Sequence, residues 1–94
     1  MQFIRFKVQI KPERIDEALA LFTAVPPPSR GVDGVVSFDI GRDSDDPNAI
    51  VATEVFADAA ARERQEALPE VAAVMGALPE LLAAEPEIAV YETA

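Results

Sequence analysis

The chain has 94 residues, one small domain, and a lone domain of this size buries only around two-thirds of the surface its unfolded chain exposes, so it gains from a partner. It contains no Cys, His or Trp, which excludes disulfides, thiolate nucleophiles and Cys/His zinc sites and leaves acid–base chemistry to a shifted carboxylate, Tyr91 or a lysine. The net charge is −9, with six basic and five acidic residues in 1–42 against two and twelve in 43–94, so nucleic acid and anionic membranes are poor partners.

Residues 2–10, QFIRFKVQI, alternate, with Ile4, Phe6, Val8 and Ile10 on one face and Phe3, Arg5, Lys7 and Gln9 on the other; this period predicts a first strand. Pro12 opens a helix, where a missing N–H costs nothing, and Ile15, Ala18, Leu19 and Phe22 repeat at helical spacing. The stretch PPPSRG, residues 26–31, ends it. GVVSFDIGR (34–42) and AIVATEVF (49–56) read as strands joined by the polar turn DSDDPN, a hairpin. Asp58 is an N-cap for a second helix to Leu68, and Pro69 starts a further one with Val71, Val74, Met75 and Leu78 on its apolar side. Pro79 kinks or restarts that helix. EIAVYE, residues 87–92, closes the chain as a fourth strand.

The order β-α-β-β-α-β is that of a ferredoxin-like α+β fold spanning residues 1–94 as one domain, an antiparallel four-stranded sheet with its helices on one face. The other face is expected to carry Phe3, Val35, Val51, Val55, Ala89 and Tyr91 beside Arg5, Lys7 and Asp39, which is too apolar to stay wet. A homodimer that covers it is the simplest remedy. Arg5 and Lys7 are expected to pair with Asp39 or Glu92. The chain begins on a strand pattern rather than a leader, and no stretch is long enough to cross a bilayer, so the expected location is the cytoplasm, in soluble form.

The runs FKVQIKP (6–12), GVVSFDIGRD (34–43), DPN (46–48), EVFADAAA (54–61) and IAVYE (88–92) resemble the antibiotic biosynthesis monooxygenases, a family of dimeric α/β barrels. The resemblance covers nearly the whole chain. It implies a ligand cavity between sheet and helices in each subunit and catalysis without flavin or metal, on a small aromatic quinol, phenol or anthrone. The alternative within the same fold is a binding module or dimeric scaffold without turnover. Glu54 matches an acid that recurs in the family, whereas Phe56 stands where many members have Trp and Gln65 where many have His. Heme-degrading members carry Asn and His where this chain has Phe6 and Met75, so heme ligation through His is excluded.

Two readings of Glu54 stand side by side. It is either a structural acid, bonded to a turn or paired with Arg62 or Arg64, or a general base at the cavity edge with its pKa raised by apolar surroundings. In the catalytic reading Gln65 or Arg64 donates to the developing oxyanion, and Phe6, Phe38, Phe56 and Met75 are the candidate substrate-binding walls. In the structural reading those four side chains are simply core, and Arg62 and Arg64 are solvated.

Overall fold

The computed structural model describes residues 1–93. Strand β1 (Gln2–Gln9) leads through a 3-10 turn (Pro12–Arg14) into helix α1 (Ile15–Thr23) and the short helix α2 (Pro26–Arg30). The hairpin β2 (Val35–Arg42) and β3 (Ala49–Phe56) follows, then α3 (Ala59–Glu66), α4 (Pro69–Leu81) and β4 (Glu87–Glu92). The strands form one antiparallel sheet in the order β2-β3-β1-β4. The ferredoxin-like α+β architecture expected from the sequence is therefore present. Among the described residues no helix is long and apolar enough to cross a membrane.

Alternation sorts the two faces of the sheet. Ile4, Val8, Phe38, Ile50 and Phe56 are all buried on the helix side, packed with Phe22, Val74, Leu78 and Leu81 from the helices. Burying one such side chain contributes about 1.5–3 kcal/mol, so the core rests on a few large anchors among many alanines. Beyond β1, Ile10 forms an isolated bridge to Leu82, and Lys11 N–H donates to the Leu81 carbonyl at 2.9 Å. These bonds tie the end of α4 to the end of the central strand.

Three sequence expectations change. The run PPPSR is a helix of its own, not merely the end of α1; its prolines occupy the first turn, where an N–H has no intrahelical partner to lose. Helix α4 runs through Pro79 without a break, because Pro79 and Met75 both lie on the exposed side, where the unpaired Met75 carbonyl can turn to water. Val35 belongs to the helix side, since a β-bulge between Val35 and Ser37 sets Val35 opposite Phe56 and Ser37 opposite Val55. The bulge reverses the alternation for the residues before it, so Val35 packs against the core.

Charge pairing on the sheet also differs from expectation. Lys7 pairs with Asp43 at 3.0 Å, Arg30 takes Asp39 at 2.9 Å, and Glu92 accepts from Gln2 at 2.9 Å. Asp39 and Glu92 are thus bound by residues other than Arg5 and Lys7. Gly34 carries the positive φ, 87°, that turns the chain into β2, and a Cβ there would meet the Ala61 Cβ at 2.6 Å. Glycine at this point lets α3 lie close over the start of the hairpin.

Candidate functional site

Two cross-strand rows form the floor of a cavity of about 270 Å³ between the sheet and the helices. One row sets Phe38, Glu54 and Ile4 side by side; the next sets Ile40, Ala52, Phe6 and Ile88. Phe22, Val25, Val71, Val74 and Met75 supply apolar walls, while Arg62, Gln65 and Glu66 of α3 supply the polar one. Met75 and Ile88 are lining residues that remain 55% and 57% exposed, which marks the rim on the side of α4 and β4. An apolar cavity of roughly 150 Å³ holds benzene, so the volume here suits a ligand of more than one ring. The phenylalanines line this space without filling it.

Glu54 sits on β3 between Phe38 on β2 and Ile4 on β1, on a strand flanked on both sides. Neither carboxylate oxygen has a hydrogen-bond or ion-pair partner among the described residues. Its pKa is raised from 4.5 to about 7, chiefly by burial and in smaller part by the Glu66 carboxylate, against the lowering pull of the Arg62 guanidinium. The donors expected of a structural acid are engaged elsewhere. Arg62 Nε donates to Glu66 Oε1 at 2.6 Å, and Arg64 Nη2 donates to the Asp33 carbonyl at 2.8 Å.

Gln65 is 2% exposed, and its Nε2 donates to Ser29 Oγ at 3.0 Å. Ser29, itself buried, spends its hydroxyl proton on the Val25 carbonyl at 2.7 Å. Its oxygen can therefore only accept from Gln65, which fixes the amide with nitrogen towards Ser29. One N–H of the expected oxyanion donor is thereby spent, and Oε1 has no hydrogen-bond partner among the described residues.

The residues singled out in sequence divide accordingly. Glu54, Gln65, Phe6, Phe38 and Met75 come together around the cavity. Phe56 does not: it is 0% exposed in the core beneath α3. Arg64 lies on the outer side of α3, and Arg62 lines the cavity in its place, with Glu66 beside it. The signal that separates the two arginines is helix phase. Asp58 Oδ1 caps the helix by accepting from Ala61 N–H at 2.9 Å, and Ala61 and Gln65 face inward one turn apart. Arg62 and Glu66 follow each of them by one residue.

A sequence profile of the family described as "Antibiotic biosynthesis monooxygenase" matches residues 1–77. No curated protein matches the chain in sequence. The crystal structure of an antibiotic biosynthesis monooxygenase superposes with a TM-score of 0.89 at 21% identity, covering 100% of this chain and 99% of that one. Rv0793 from Mycobacterium tuberculosis gives 0.89 at 20% identity, covering 99% and 94%. A conserved protein from Methanosarcina mazei Go1 gives 0.87 at 19% identity, covering 99% and 92%. At such identities these structures speak for the fold.

Proposed function

The chain belongs to the antibiotic biosynthesis monooxygenase family, and on that premise we propose that its cavity oxygenates a compact aromatic quinol, phenol or anthrone with O₂ and no cofactor. The observation that carries this reading is Glu54: an unpaired carboxyl in an apolar cavity, with a pKa near the working pH, is suited to take a proton from a bound ligand. Deprotonation makes such a ring electron-rich enough to reduce O₂ itself. For an anthrone, Glu54 takes a proton from the methylene carbon, a C–O bond forms to O₂, and the peroxide is protonated by Glu54 and loses water to leave a carbonyl. Phe6 and Phe38 hold the ring against the sheet, and Met75 flanks it at the rim.

Oxygen uptake with 1,4-dihydroxynaphthalene and with anthrone tests the proposal. The expected result is a rate above spontaneous autoxidation, falling by about 100-fold or more in Glu54→Gln. Uptake by wild type no faster than in buffer would overturn it. One observation favours a second reading, a binding module without turnover: Gln65 is tied to Ser29 and Arg62 to Glu66, so each donor is oriented by a protein partner rather than by a developing oxyanion. Saturable binding of these compounds with no oxygen uptake would select that reading.

The functional unit in this proposal is a homodimer. Phe3 and Tyr91 face each other across β1 and β4 on the helix-free side of the sheet, 38% and 62% exposed, with Val55 beside Phe3 on β3 and Val51 further along that strand, opposite Lys7. β4 is uncovered on both sides, since Ile88 and Val90 on its helix side are 57% and 45% exposed. A second copy is the occupant that supports an apolar surface of this kind.

A further inference from the structure

Among the described residues three charged side chains line the cavity: Glu54 on β3, and Arg62 and Glu66 on α3. The other walls contribute Ile4 and Phe6 from β1, Phe38 from β2, Ile88 from β4, Phe22 from α1 and Met75 from α4, and none of these titrates. A single cation therefore shares the cavity lining with two carboxylates, and it is bound to the one nearer water. Arg62 holds Glu66 at 2.6 Å, one helical turn on, where the Glu66 side chain is 52% exposed. Exposed pairs at this spacing are weak, whereas opposite charges attract more strongly in a drier setting. Without a competitor, the guanidinium would find its stronger partner further in.

We propose that Glu66 is a positioning residue that retains Arg62 at the cavity rim, and that once Glu66 no longer binds it, Arg62 turns inward and takes Glu54 as its ion-pair partner. Glu54 would then be a fixed anion rather than a group that exchanges a proton with a ligand. The opposing influences of Arg62 and Glu66 on the Glu54 carboxyl run in the directions this arrangement requires. Only its bearing on catalysis rests on the oxygenation reading; the arrangement itself concerns the chain's own groups.

A ¹³C NMR titration of the Glu54 side-chain carboxyl in the ligand-free protein, with its signal identified from Glu54→Gln, tests the inference. Glu66→Gln alters an exposed side chain and is expected to fold. It should lower the Glu54 midpoint by about one pH unit or more. Removing the Glu66 charge also acts through space, and the Arg62→Ala background separates the two effects. In that background the same substitution should move the midpoint by less than about a third as much. An equal drop in both backgrounds, or no drop in the first, would overturn the proposal. Neither readout depends on oxygen uptake, so failure here and failure of the proposed activity are distinguishable.

Discussion

Glu54 has opposite consequences for stability in its two readings. A structural acid would strand its donors when removed, but Arg62, Arg64 and Gln65 are bonded elsewhere, so there is nothing to strand. Its pKa in the folded chain, about 7, lies above the ordinary 4.5, so the folded chain binds this proton more tightly than the unfolded one. The resulting stability is fully present below about pH 4.5, is lost as pH rises towards 7, and stays lost above it. A shift of this size corresponds to a difference on the order of 3 kcal/mol. Glu54→Gln is therefore expected to match wild type in thermal unfolding at pH 4 and to exceed it at pH 8. Equal melting of the two proteins at both pH values would contradict the unpaired carboxyl. Ser29 makes the opposite case, because its loss leaves the buried Gln65 amide without an acceptor. Urea denaturation of Ser29→Ala should show a loss of about 1–3 kcal/mol.

At the scale of elements, the strands were legible because a sheet with one covered face imposes a period of two, and β1, β3 and β4 end within one residue of where alternation stops. Helix α2 was hidden because prolines punctuate helices far more often than they begin them in threes. The bulge in β2 leaves no mark in VVS, where either valine serves on either face. In the site, a lone acid in a strand of β-branched and small residues was visible, but its surroundings were not. Helix α3 has only alanines for apolar residues, too little contrast to reveal its phase, and the difference between Arg62 and Arg64 is a difference of phase. Position alone marks Gln65 as a donor, and Ser29, the group that fixes it, lies in α2, the helix the sequence conceals.

For the molecule as a whole, the proposed dimer predicts light scattering at micromolar concentration corresponding to about twice the 10.1 kDa of the chain. Phe3→Asp places a charge in the middle of the apolar sheet face and is expected to bring the mass down to that of one chain. A wild type already at one-chain mass would leave Phe3 and Tyr91 without an occupant.

The strand order also dictates a sequence of events. β1 is the first strand made, yet it lies between β3 and β4, and its contact between Gln2 and Glu92 spans 90 residues. Only the β2–β3 hairpin pairs neighbours in the chain, so the loop entropy of folding falls almost entirely on β1, which must wait for partners distant in sequence. The hairpin is placed to form early and act as a template. β4, the edge strand that carries Ile88 at the cavity rim, has a single neighbour in the sheet, and its amides are accordingly ones that hydrogen exchange should reach before those of β1 and β3.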